Sequence, residues 1–143
     1  MWHGADNFYG FPVYGEVATK LGQHLGGHHV TSRTRTFDPD PVRIERQRTF
    51  LVERIPGFLG PELYTKTCLY TIPPDNNFVL GPLASDPRIC VFIGAGHAYK
   101  FASLMGQILA DLALTGTTAE NIAGLETNRP ALIDPDFAAR YHR

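Results

Sequence analysis

Ile89-Cys90-Val91-Phe92-Ile93-Gly94-Ala95-Gly96-His97-Ala98-Tyr99-Lys100-Phe101 is the stretch on which the reading of this chain turns. The apolar run from Ile89 to Ile93 predicts a strand buried on both faces. Gly94-Ala95-Gly96 predicts a tight turn after it. Phe101, Leu104, Met105, Ile108, Leu109 and Leu112 fall at spacings of 3, 4, 7, 8 and 11, a full match to the helical template. Gly116 is the natural stop of that helix. The start of a helix offers unpaired N–H groups and a partial positive charge, and glycines let a ligand come close to the backbone. The turn therefore suits an anion or an electron-rich carbonyl. On pattern alone, a turn needed only for packing explains the glycines as well. Tyr99 stands where a dinucleotide fingerprint would have its third glycine.

Working outward, Phe8 to Tyr14 is aromatic and reads as a short strand, with a turn at Gly15. Residues 17–25 alternate. Val17, Thr19, Leu21, Gln23 and Leu25 share one face, and Lys20 and His24 lie on the other, so a strand is expected. Asp40-Pro41 is a helix entry, with the acid as cap and the proline at the first turn. The helix runs from Val42 to Ile55, with Arg43, Arg46, Arg48 and Arg54 as its wet face and Pro56-Gly57 as its stop. Glu62 to Ile72 reads as a strand carrying Cys68 and Tyr70. Pro73 to Asn77 reads as a turn, and Phe78 to Leu80 as a second short strand. Beyond Gly116 the chain reads as loop. The fold class that follows is α+β, with a mostly antiparallel sheet and two principal helices.

A chain of 143 residues can bury one real core and is too short for two ordinary domains. A net charge of -1 leaves no electrostatic footprint for nucleic acid or an anionic membrane surface. No apolar run is long enough to span a bilayer. The start, Met1 to Asp6, has no secretory pattern, and Tyr141-His142-Arg143 is not a peroxisomal address, so a cytoplasmic setting is expected. Cys68 and Cys90 form no CxxC pair and read as free thiols. His28-His29 lacks a third ligand at useful spacing, so no metal is expected.

The segment Gly94 to Ser103 resembles the Gly-His-x-x-Lys-Phe segment of the monomeric sarcosine oxidase family, which includes N-methyltryptophan oxidase. Tyr9-Gly10-Phe11-Pro12, Lys20-Leu21-Gly22-x-His24, Cys68-Leu69-Tyr70-Thr71 with Pro74-Asp75-x-x-Phe78, and Asn128-Arg129-Pro130-Ala131-Leu132 agree with it in the family's order. The resemblance implies FAD as cofactor, with Cys68 as a thioether link to the flavin ring; a thiolate can add to that electron-poor system. It implies that Lys20 promotes the reaction of reduced flavin with oxygen, where a fixed cation stabilises developing superoxide. His24 matches an active-site histidine. Gly96 and His97 match the turn at the pyrimidine end of the flavin. Lys100 matches a lysine that contacts the substrate carboxylate, and Tyr9 and Tyr70 match pocket aromatics.

The resemblance further implies that residues 1–143 are a single partial domain, the substrate-side part of a FAD-dependent oxidoreductase without its nucleotide-binding half. Nothing here resembles the Gly-x-Gly-x-x-Gly unit with which the family begins. A missing FAD-binding half, or a partner chain supplying it, is expected. The implied reaction oxidises a small N-methyl amino acid, sarcosine-like, with O2 as acceptor. Two other readings stay open: a glycine or D-amino acid oxidase-like enzyme, and a non-catalytic interaction module.

Overall fold

The computed structural model describes residues 2–3, 6–13 and 15–139. Met1, Gly4 and Ala5 of the start, Tyr14 of the first strand reading, and Tyr141-His142-Arg143 lie outside the described residues. The architecture is α+β, built from small antiparallel sheets and few helices. It falls into two compact units, one ending at Cys68 and the other beginning at Leu69.

In the first unit, β1 (Trp2–His3), β2 (Asp6–Phe11) and β3 (Lys20–His24) form an antiparallel sheet in that order. The register pairs Phe11 with Lys20, Tyr9 with Gly22, and Asn7 with His24. The strand predicted over 17–25 is therefore shorter, and Val17 is 95% exposed. Helix α1 (Pro41–Arg54) begins as read: the Asp40 carboxylate accepts from the Val42 N–H at 2.9 Å, and Pro41 occupies the first turn. Phe8 on β2 and Phe50 on α1 are each 2% exposed and stack with centroids 4.3 Å apart. That pair is the anchor of helix on sheet. Burying each ring is worth about 1.5–3 kcal/mol, and the stacking adds about 0.5–1.5 kcal/mol. The basic face of α1 is not uniformly wet. Arg43 is half-buried and donates to the Leu25 carbonyl at 2.6 Å, closing the exit of β3, while Arg48 pairs with Glu62 at 3.0 Å.

In the second unit, β4 (Val79–Pro82) and β5 (Cys90–Ile93) form an antiparallel ribbon, with Leu80 opposite Phe92. Helix α2 (Ala102–Thr115) follows a single 3₁₀ turn, Tyr99–Phe101, and ends at Gly116 with φ 76°. Its core seam begins at Met105. Leu80, fully buried, packs with Met105 and Ile108, and Phe92, Leu109, Leu112, Ile122 and Leu125 close around them. Phe101 and Leu104, read as part of that seam, are 38% and 39% exposed. The Leu80 N–H donates to the Leu125 carbonyl at 2.7 Å, so the segment after α2 borders β4. A short helix α3 (Pro130–Ile133) interrupts the stretch read as loop.

Two strand expectations fail. β5 is half-buried along its length rather than buried on both faces, because it has one neighbour strand in a two-stranded ribbon. The predicted strand Glu62–Ile72 does not form: residues 59–73 lie outside every helix and strand. Its residues have strand character but no ladder partner among the described residues, and backbone pairing is what makes a strand.

Candidate functional site

The exposed face of the first sheet gathers three of the sequence-predicted residues. In a strand, alternate residues share a face, and cross-strand partners share it too. Tyr9 and Phe11 on β2 therefore stand with Lys20, Gly22 and His24 on β3. The Lys20 ammonium lies 5.8 Å from the centroids of both the Tyr9 and Phe11 rings. At that distance the ring faces attract the cation. Gly22 is what lets the Tyr9 ring lie across β3, since a Cβ there would sit 2.5 Å from Tyr9 Cζ. Phe8 and the helix occupy the opposite face, so this cationic, aromatic face is left open.

The second unit carries Gly96, His97, Lys100 and Tyr70. The turn is tight: the His97 N–H donates to the Gly94 carbonyl at 3.0 Å, and Ala95 and Gly96 have φ 48° and 83°. The Tyr70 ring occupies the space beside Gly96, where a Cβ would meet its Cγ at 2.4 Å. Phe78 packs against the His97 ring at 5.1 Å and also meets Phe92 and Phe101. No side chain caps the 3₁₀ turn or the start of α2; instead the Phe101 and Ala102 N–H groups donate to the Ala98 and Tyr99 carbonyls. Lys100 is exposed, with its ammonium 5.4 Å from the Phe101 ring. Between Asp86 and Asp111 the sequence has no carboxylate.

Cys68 is an exposed free thiol in the irregular segment. A shallow groove of about 260 Å³ beside β4, lined by Leu80, Leu83, Ile122 and Asn128 among others, contains none of the candidate residues.

A family model described as FAD dependent oxidoreductase (DAO) matches residues 5–112. The chain belongs to this family. It is 36% identical over 128 residues to a protein named monomeric sarcosine oxidase from a Bacillus species (strain B-0618), covering 87% of this chain and 33% of that protein. An Arthrobacter protein (strain TE1826) of the same name is 35% identical over the same shares. A protein named N-methyl-L-tryptophan oxidase from Escherichia coli K12 is 34% identical over 76% of this chain and 29% of its own length. The chain spans about a third of the length of the curated relatives it matches.

The residues present fit part of a flavin. The tight glycine turn, with the exposed Lys100 ammonium following it in sequence, suits the electron-rich carbonyl end of the ring system. The accessible Cys68 thiol is the kind of group that can attach to it. The Gly-x-Gly turn is not a dinucleotide fingerprint and does not fit the pyrophosphate.

Gly22, Phe11 and Phe78 lie in the motifs that carry the resemblance, but sequence reasoning gave them no role. A glycine inside an alternating strand was the available signal for Gly22. Phe78 stood in the quoted Pro74-Asp75-x-x-Phe78 motif, but its ring neighbours are distant in sequence and no role followed from the motif.

Proposed function

We propose that this chain is the substrate-side part of a flavin-dependent amine oxidase. The reaction oxidises the N-methyl group of a small N-methyl amino acid to an imine, which water converts to formaldehyde and a primary amine, with O2 reduced to H2O2. The observation that carries this reading is the open sheet face on which Lys20 is held between Tyr9 and Phe11 and shares its side with His24. Family membership and the relatives' names support it.

When bound, FAD supplies the redox chemistry, accepting the hydride and returning the electrons to oxygen. The Lys20 ammonium stabilises negative charge developing on oxygen, most strongly where water is excluded. His24 is positioned on the same face to hold or move a proton. Tyr9 and Tyr70 offer aromatic walls to the substrate. Lys100 pairs with the substrate carboxylate as a point charge. Gly96 and His97 would form the turn at the flavin's pyrimidine end, and Cys68 would hold the ring covalently. The remaining flavin contacts come from a FAD-binding portion corresponding to the rest of the relatives' length. Free thiols at Cys68 and Cys90 accord with a reducing cytoplasm; no helix of the described residues is long and apolar enough to cross a membrane.

The test is purification from the native host, with visible spectrum, intact mass and peroxide release on sarcosine and N-methyltryptophan. Flavin that stays on the Cys68 peptide after denaturation is the expected result. Absence of peroxide with every N-methyl amino acid, from the full protein or from reconstituted portions, refutes the proposal. Peroxide from primary amino acids alone would move the substrate to the glycine or D-amino acid class.

A further inference from the structure

Arg129 lies beyond the residues matched by the family model, which end at 112. It is 8% exposed, and every N–H of its guanidinium has an acceptor. Nε and Nη2 donate to the two Asp75 oxygens at 2.7 and 2.8 Å. Nη1 donates to the Leu125 and Glu126 carbonyls at 3.2 and 3.1 Å, and Nη2 also reaches the Asn77 carbonyl at 3.4 Å. Such a bidentate fork fixes direction as well as distance. Asp75 sits in the turn closed by the Asn76 N–H donating to the Pro73 carbonyl. That turn is flanked by Tyr70 and Phe78. One ring fills the space beside Gly96 and the other rests on His97.

We infer that Arg129 is a positioning residue: through Asp75 it locks the 73–77 turn so that Tyr70 and Phe78 brace the Gly94–His97 loop. The functional meaning of that loop rests on the flavin reading above, but the bracing itself does not. A guanidinium satisfied at every donor holds one geometry, because any rotation leaves a buried donor without a partner. The loop receives two aromatic supports from either side of one turn, and the ion pair sets the conformation of that turn. Lysine cannot replace it, since an ammonium lacks the planar fork.

The experiment uses the isotopically labelled 143-residue chain and follows the Gly96 amide and the His97 imidazole by NMR. Asp75→Asn, Arg129→Gln and Arg129→Lys are compared with Ile122→Ala, which loosens the core without touching the ion pair. The expected result is that Asp75→Asn and both Arg129 variants move the Gly96 and His97 signals toward their values in free peptide. Ile122→Ala should leave those signals in place. Signals that stay fixed in the folded Asp75 and Arg129 variants overturn the inference. So does an equal shift in Ile122→Ala, or global loss of helix in all three ion-pair variants, since either makes the pair a general stabiliser. No flavin enters these readouts, so failure of the flavin reading would leave them unchanged.

Discussion

Replacing Gly96 with alanine tests the turn through two separable effects. The backbone there has φ 83°, where an L side chain costs about 1–2 kcal/mol. Restricting the unfolded chain returns about 0.4–1 kcal/mol, so the backbone effect alone nets about 1 kcal/mol. The new methyl would also sit 2.4 Å from Tyr70 Cγ and 2.6 Å from Cδ2. Overpacking of this kind costs about 1–3 kcal/mol, giving a total of about 2–4 kcal/mol. Gly116 is the internal control. Its φ is 76° and a methyl there would meet nothing within 4 Å, so Gly116→Ala should lose about 1 kcal/mol. Urea unfolding followed by far-ultraviolet ellipticity measures both. Adding Tyr70→Ala to Gly96→Ala should relieve the clash with the ring and leave the backbone strain with a residual 2.9 Å contact to the residue-70 Cβ, so the double variant should recover part of the loss. Equal losses for the two glycine variants would refute the claim that Tyr70 fills the space beside the turn.

Leu80→Ala removes the fully buried centre of the second unit's core and should cost about 2–5 kcal/mol in the same melt. Gly22→Ala should drive the Tyr9 ring off β3, and because the methyl meets only the far end of a 40% exposed side chain the cost should stay below about 1 kcal/mol. A double-mutant cycle with Tyr9→Ala should show coupling, and additivity would sink the idea. The Arg129 guanidinium holds the Asp75 carboxyl below the usual carboxylate range. A depressed folded value means that its stabilisation is fully present above the unfolded value, about pH 4, and is lost as pH falls through the folded one. Acid unfolding of Asp75→Asn should therefore begin from a less stable protein and show a shallower slope below about pH 4.

Local signals were legible wherever one short segment determines its own structure. Asp40-Pro41 set the start of α1, and Gly116 set the end of α2, because caps act through neighbouring backbone groups. The alternation at 17–25 placed Lys20 and His24 on one face before the register was known. What escaped the sequence was pairing at a distance. The Asp75–Arg129 fork spans 54 positions, and no periodicity announces it. The same limit explains the failed strand at 62–72. Its composition states a preference for extended backbone, while a ladder needs a second strand that periodicity cannot supply. Arg43 was misread as solvated for a related reason: its acceptor, the Leu25 carbonyl, belongs to another element.

The irregular run 59–73 has a consequence for how long the chain survives in a cell. Amides without a ladder exchange quickly and fit readily into a protease cleft, and this run includes the junction between Cys68 and Leu69 where the two units meet in sequence. A first cut there would leave two folded pieces, with Lys20 on one and Lys100 on the other. Limited proteolysis should therefore yield two resistant fragments before any smaller peptide. Whatever binds the 59–73 run would be expected to lengthen the half-life of the whole chain by closing its weakest peptide bonds.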